Sequence, residues 1–155
     1  AFTAGALIHM LKDNRFVIEH VVRGQWSALE REEKIKFWAT RDAANSRPGA
    51  YEVGVEQEPG SGGKESAEST IRNLRGFKVY ADKVTGSKEV RAEPFAAQVQ
   101  GGNVFLVAGS YQNDLLDEMV SFPNGTFKDQ VDACSGAFNR LISGPVYNLW
   151  GGALD

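Results

Sequence analysis

Two stretches of the sequence carry carboxylates at spacings that suit metal-ion chemistry. In the first, YEVGVEQEPGSGGK at 51–64, the residues alternate as in a strand and deliver Glu56 just before Pro59 and Gly60 stop it. A carboxylate at the carboxyl end of a strand, above a glycine-rich loop, lies where α/β sheets place their chemistry. Its oxygens are ligands that Mg²⁺ binds. A solvated loop with two surface glutamates explains the same stretch equally well, so both interpretations stay open.

The second stretch is KDQVDA at 128–133. If a helix begins near Asp129, then Asp129 and Asp132 share one face of it, one turn apart, which is half of a site for Mg²⁺ or Mn²⁺. An acid at a helix N-terminus is also stabilised by the helix dipole, so residue type alone favours Asp129 as a cap. The opposite face is predicted to be buried through Val131, Cys134, Phe138 and Leu141.

The elements that must position these carboxylates alternate between strands and helices, which predicts an α/β fold with a mixed sheet. Strands are expected over 2–11, 15–22, from 51 to the stop at Pro59, 77–84 and 103–108. The first two form a β-hairpin and pair antiparallel, and the strand that ends at Glu56 is expected to be central. Helices are expected from the capping box of Ser27 and Glu30 to about 41, and over 64–74, 87–100, 113–120 and 129–142.

Some smaller expectations concern packing. Alternation along the second strand should place Phe16, Ile18 and His20 on the same face of it. The first helix should bury an apolar stripe formed by Leu29, Ile35 and Trp38. The segment 61–63 should be a flexible loop, the strand over 103–108 should be buried, and Trp150 should pack back on the domain.

Composition limits the class of protein. The 155 residues, 42% hydrophobic and 24% charged, predict one globular domain with its own core. The net charge of −3 excludes a nucleic-acid footprint spread over the whole surface. One cysteine, Cys134, excludes an internal disulfide and a cysteine-based zinc cage, and it fits a reducing compartment. No apolar run reaches the length of a membrane span.

Basic residues concentrate between positions 64 and 91. Seven lysines and arginines stand there against four acids, which gives a local net charge of +3 in an otherwise acidic chain. Such a surface can meet phosphate groups. Lys64 beside the glycines, and Lys88 with Arg91 at a helix start, are the expected DNA-binding residues. The simpler interpretation, an exposed face paired with acids, is preferred for Arg72, Arg75 and Lys78.

Four blocks follow one another along the chain: EQEPGSGGK at 56–64, TGSKEVRAEP at 85–94, GGNVFLV at 101–107 and FPNGTFKDQVDACSGAF at 122–138. With the opening hairpin and VVRGQWS, they resemble the nuclease domain of the large terminase subunit of tailed bacteriophages, the DNA-packaging motor. The resemblance covers nearly the whole chain. It implies that 1–155 is a single RNase H-like domain, excised from the C-terminal part of a longer subunit and without the ATPase domain.

The resemblance also implies a function. This is cleavage of concatemeric double-stranded DNA during genome packaging, by an endonuclease that uses two Mg²⁺ or Mn²⁺ ions. The catalytic residues and metal ligands that it implies are Glu56, Asp129 and Asp132. The implied partners are double-stranded DNA, the terminase ATPase domain, the small subunit and the portal protein, with no membrane. The implied location is the cytoplasm of the bacterial host.

The sequence departs from the family pattern in two places. Lys128 stands where the family usually has an aspartate, and an ammonium beside the metals would repel them. We expect its long side chain to swing towards solvent or a DNA phosphate. The family's first acid lies on a strand that would precede Ala1. These departures favour an alternative from another class, a catalytically impaired DNA-holding or motor-docking module on the same fold. A small-molecule enzyme, the third interpretation, lacks a nucleophile–base pair or a cofactor motif.

Overall fold

Five strands and five helices form the part of the chain that the computed structural model describes, residues 2–143. The strands are β1 (Thr3–Met10), β2 (Phe16–Gly24), β3 (Val53–Gln57), β4 (Val79–Lys83) and β5 (Val104–Leu106). The helices are α1 (Ala28–Ala44), α2 (Ser61–Asn73), α3 (Lys88–Gln100), α4 (Gln112–Ser121) and α5 (Asp129–Ile142). This order confirms the predicted alternation, and α5 has the predicted bounds. Trp150, expected to pack back on the domain, lies outside the described residues.

Antiparallel and parallel pairing both occur among the strands. β1 and β2 pair antiparallel, and β2 pairs in parallel with β5. β3 and β4 form a separate parallel pair within residues 2–143. The predicted mixed α/β fold with flanking helices is confirmed. The strand of Glu56 is not central, however, because in the described residues β3 pairs only with β4. Periodicity identifies a strand but carries no information about its neighbours.

A β-bulge in β2 decides which side chains of the hairpin are buried. The pairing register skips Glu19, which is the extra residue between Ile18 and His20. Beyond it the two faces exchange, so Val21 joins Ile18 in the core and His20 turns towards α1. There the Nε2 atom of His20 lies 2.8 Å from Oδ1 of Asp42. The predicted face is therefore wrong at His20.

The core is built around α5. Its predicted buried face is confirmed, since the core includes Val131, Cys134, Phe138 and, partly buried against them, Leu141. The ring of Phe138 contacts Phe16 of β2 and Phe95 of α3, with centroids 4.6 and 5.6 Å apart. Burying one such side chain contributes about 1.5–3 kcal/mol to folding. α5 also contacts β1 and β3, so one helix packs against both groups of strands.

Two expectations about α1 and β5 need correction. The capping box of Ser27 and Glu30 is present, but Leu29 is 70% exposed and takes no part in a buried stripe. α1 contacts α2 and β1, and Ala39 in its C-terminal half is buried. β5 is an edge strand of its sheet, so Phe105 lies exposed rather than buried.

The segment 61–63 is also different from the expectation. It forms the first turn of α2 and is not a loop. Gly60 before it has a φ of +96°, a conformation that glycine adopts without steric cost. At Gly63 a Cβ atom would overlap the carbonyl oxygen of Glu58. The glycines therefore let α2 begin directly behind β3, close to the end of the strand that carries Glu56.

Candidate active site

The predicted site carboxylates come from two elements. Glu56 is the fourth of five residues in β3. Asp129 is the first residue of α5, and Asp132 lies on the same face one turn on. The N-cap position is taken by Lys128, whose side chain makes no capping hydrogen bond. Asp129 is therefore not the cap that residue type favoured. We call Glu56, Asp129 and Asp132 the carboxylate cluster.

A buried glutamate that the sequence analysis missed fixes the start of α5. Glu118 of α4 is 4% exposed, and its Oε2 accepts a hydrogen bond of 2.6 Å from the backbone N–H of Val131. Its Oε1 accepts a bond of 3.2 Å from Gln130 Nε2 and lies 3.6 Å from Nη1 of Arg23. A helix N-terminus has free N–H groups and favours negative charge there. An acid within a helix usually faces solvent, so no pattern in the sequence indicates this role.

Two cations of α3 hold the aspartates of the cluster. The ammonium of Lys88 lies 3.0 Å from Oδ1 of Asp129 and 3.8 Å from Oδ2 of Asp132. Nη2 of Arg91 donates a hydrogen bond of 2.6 Å to Oδ1 of Asp132. Both residues were predicted to bind DNA, and in this structure both are engaged by carboxylates. The same contacts bring α3 and α5 together beside the end of β3.

The surroundings of Glu56 raise the pKa of its carboxyl. Desolvation by the surrounding protein raises the pKa of Glu56 to about 7, and the negative charges of Asp132 and Glu58 add to the increase. Lys88 responds in the opposite sense. Burial alone would lower the pKa of Lys88, but its hydrogen bond to Asp129 and the charges of all three cluster carboxylates outweigh burial and raise it. The three carboxylates therefore share one electrostatic site around Lys88.

The two other basic residues of interest lie away from the cluster. The ammonium of Lys128 lies 2.8 Å from Oε1 of Glu89 on α3, and the pKa of the Glu89 carboxyl is lowered by this bond. Lys128 does not pair with Glu56 in the described residues. Lys64, predicted to bind DNA, lies exposed on α2 with its ammonium 3.9 Å from Oε1 of Glu68.

A further carboxylate lies beside Glu56. Asp82 of β4 is the register partner of Glu56, so both side chains stand on the same face of the parallel pair. A Cβ atom added to Gly136 of α5 would lie 3.5 Å from Oδ2 of Asp82, which shows that this carboxylate faces the helix. The alternation along 77–84 assigns Asp82 to one face of the strand. Only the register of β3 with β4 reveals that Asp82 stands next to Glu56.

The residues fit a divalent cation by their chemistry. Carboxylate oxygens are the preferred ligands of Mg²⁺ and Mn²⁺, and the repulsion between Glu56 and Asp132 is what a bound cation would relieve. In the present arrangement Lys88 and Arg91 supply that positive charge. Within residues 2–143, no three His, Cys, Asp or Glu side chains converge closely enough to hold a metal ion. Binding therefore requires the carboxylates to leave these two cations.

Comparison with known proteins places the chain in a family. None of the helices between residues 2 and 143 has the length and apolar character of a membrane span. No curated protein matches the chain. The family model described as the terminase RNaseH-like domain matches residues 5–141, which is nearly all of the chain. The chain therefore belongs to the terminase RNaseH-like domain family and has the nuclease fold of a terminase module.

Proposed function

We propose that this domain is a metal-dependent endonuclease that cuts concatemeric double-stranded DNA during genome packaging in a tailed bacteriophage. One observation carries the proposal beyond family membership. Carboxylates from β3 and from the first turn of α5 act on a single ammonium, that of Lys88, although Glu56 and Asp129 are far apart in sequence. A scaffold that forces like charges together is characteristic of functional sites.

In this proposal Glu56 and Asp129 are the principal ligands of the ions, and Asp132 is a weaker ligand or orients the other two. Bound Mg²⁺ or Mn²⁺ ions would activate a water and stabilise the leaving oxygen of an in-line displacement at a phosphodiester. The chain's own residues orient the ligands: β3 holds Glu56, and Glu118 holds the first turn of α5 with its two aspartates. Lys88 and Arg91, once they leave the carboxylates, lie beside the bound metal ions, where they can face a phosphate.

A second candidate function is a DNA-holding or motor-docking module without catalysis. The observation that favours it is the pairing of Asp129 and Asp132 with Lys88 and Arg91, which leaves no free set of ligands among residues 2–143. If these ion pairs persist in the presence of metal, the cluster is a structural ion-pair network. Its acids would then contribute to the packing of α3 on α5 and to nothing else.

Metal binding and DNA cleavage separate the two candidates. Isothermal titration with Mn²⁺, followed by a crystal soak, should give two ions near Glu56 and Asp129 if the domain is a nuclease. Supercoiled plasmid should be cut with Mn²⁺ and left intact with EDTA. An empty site at saturating Mn²⁺, together with uncut plasmid, would establish the non-catalytic module.

The packaging context defines the remaining proposals. The family places the domain in a packaging motor that acts on DNA. The partners that we propose are double-stranded DNA, the terminase ATPase domain, the small subunit and the portal protein, and the place of action is the cytoplasm of the bacterial host. Co-purification of the domain with each protein, expressed separately, tests each contact.

A further inference from the structure

The seventeen lysines and arginines fall into two groups. Nine have an acidic partner within 4.0 Å in residues 2–143. Among these nine are all three residues that the sequence predicted to bind DNA, Lys64, Lys88 and Arg91. Arg72 and Arg75, for which acidic partners were expected, have none in the described part of the chain. The three predicted DNA-binding residues are therefore paired with acids in the described part of the chain, whereas Arg72 and Arg75 are not.

Arg72 and Arg75 line a cleft together with a cation from another element. The cleft has a volume of about 580 Å³ and is lined by Lys36 of α1 and by Arg72, Asn73 and Arg75 at the end of α2. We call these four residues the cationic cleft. All four are exposed. Lys36 also has no acidic partner within residues 2–143, so the cleft carries three uncompensated positive charges.

The position of the two helices that form the cleft is fixed by a shared acid. Glu32 of α1 accepts a hydrogen bond of 2.6 Å from the hydroxyl of Thr70 on α2 and one of 3.4 Å from Nδ2 of Asn73. Its Oε1 also lies 3.5 Å from Nη2 of Arg31. Glu32 is therefore committed to joining α1 to α2, and it holds the three cations on facing helices rather than neutralising one of them.

The cationic cleft is separate from the carboxylate cluster. α2 begins just after β3, near Glu56, whereas Arg72 and Arg75 lie at its other end. A helix of thirteen residues spans roughly 18 Å at 1.5 Å per residue. A ligand in the cleft therefore meets different side chains from a ligand at the cluster, although both can lie on one long polymer.

We propose that the cationic cleft binds phosphate groups of the DNA backbone, as a second contact about one helix length from the site of cleavage. Guanidinium groups bind phosphate in a bidentate manner, and two of them beside an ammonium favour a polyanion over a single small anion. The paired cations elsewhere must first give up a carboxylate, whereas these three need not. Phosphate contacts carry no base information, so the contact is independent of sequence. The choice of DNA as the polyanion rests on the proposed function.

Equilibrium binding to a short duplex, measured by fluorescence anisotropy in EDTA at several salt concentrations, tests this proposal. The test variant is Lys36→Gln with Arg72→Gln and Arg75→Gln. The matched control is Lys12→Gln with Lys34→Gln and Arg47→Gln, which removes the same charge from exposed cations that do not line the cleft. Both changes affect only exposed side chains, and thermal unfolding checks that both proteins fold. Should the triple variant unfold, Arg75→Gln alone replaces it.

For three lost phosphate contacts, the slope of log affinity against log salt should fall by roughly 2 to 3. Affinity at about 0.1 M salt should then weaken at least about tenfold, equally for two duplexes of unrelated sequence. The control variant should retain most of the affinity. Equal losses in both variants would show a general effect of net charge and overturn the proposal. Loss of heparin binding with unchanged DNA binding would also overturn it. Because EDTA removes divalent metal, failure of the domain to cut DNA does not affect this result.

Discussion

The carboxylate cluster and the cationic cleft use charge in opposite ways. In the cluster, two cations of α3 lie within 3.0 Å of aspartate oxygens. Desolvation, together with the negative charges of Asp132 and Glu58, raises the pKa of Glu56 to about 7. In the cleft, Glu32 is engaged by hydrogen bonds to α2, and none of the three cations forms an ion pair with a carboxylate of residues 2–143.

This difference shows that a count of charges along the sequence cannot separate cations that are paired with acids from cations that are not. The basic window between 64 and 91 contains both kinds of cation, those that balance buried acids and those left for a ligand. Their fates depend on which acids the fold brings near. A cation already paired with a carboxylate gains little from a phosphate, because one ion pair is exchanged for another.

The largest effect is expected at Glu56. Glu56→Ala should abolish Mn²⁺-dependent cleavage, because loss of a metal ligand removes several kcal/mol of transition-state stabilisation, a rate loss of roughly a thousandfold. The free energy of unfolding should change by only about 1 kcal/mol, since the side chain is exposed. DNA binding in EDTA should be unchanged. Glu65→Ala, at an exposed glutamate of α2, is the control and should cut normally. Cleavage by Glu56→Ala at the wild-type rate would exclude Glu56 from the site.

Substitution of Glu118 should destabilise the carboxylate cluster and leave the cationic cleft unchanged. Glu118→Ala leaves the N–H of Val131, the amide of Gln130 and the guanidinium of Arg23 without their buried acceptor. We expect a loss of about 3 kcal/mol in the free energy of unfolding, measured by urea denaturation. Asp114→Ala is the matched control, because this exposed acid lies 4.0 Å from the same Arg23 and should contribute less than about 0.5 kcal/mol. Similar losses in both variants would contradict the role of Glu118.

Lys88 tests whether the cations of the cluster compete with metal. Lys88→Met removes the ammonium that holds Asp129 and Asp132, and Mn²⁺ binding measured by titration should tighten roughly tenfold. Lys128→Met is the control, because its ammonium lies on Glu89 and should matter less. Weaker binding by Lys88→Met would mean that Lys88 organises the cluster for metal instead of competing with it.

The smallest expected effect is on the dependence of stability on pH. The raised pKa of Glu56 means that the folded chain keeps a proton that the unfolded chain loses between pH 4.5 and about 7. Stability should therefore fall as pH rises through this window, and Glu56→Gln should remove that part of the fall. Because Glu56 is only partly desolvated and solvent screens its charge, the difference in Tm should be only roughly 1–3 °C, and it should be seen at pH 8 but not at pH 4. Glu65→Gln should show no such change relative to the wild type. A difference of the same size at both pH values would rule out titration of Glu56.

Much of the fold was predictable because its signals are local. The bounds of α5, its buried face and the capping box of α1 follow from helix periodicity and from side chains three residues apart. The end of a strand at Glu56 follows from alternation and from the stop at Pro59. The exceptions have local causes that a pattern cannot show. One extra residue, Glu19, exchanges the faces of β2.

Only the tertiary structure decided which charged side chains are paired with one another. Lys88 meets Asp129 and Arg91 meets Asp132 across 41 residues of sequence, and Thr70 meets Glu32 across 38. Such pairs depend on how helices pack, and helix packing depends on the shapes of buried side chains. The sequence determined that this chain carries acids on β3 and α5 and an excess of cations between them. The packing of α3 on α5, and of α1 on α2, determined which cations are neutralised by acids and which are not.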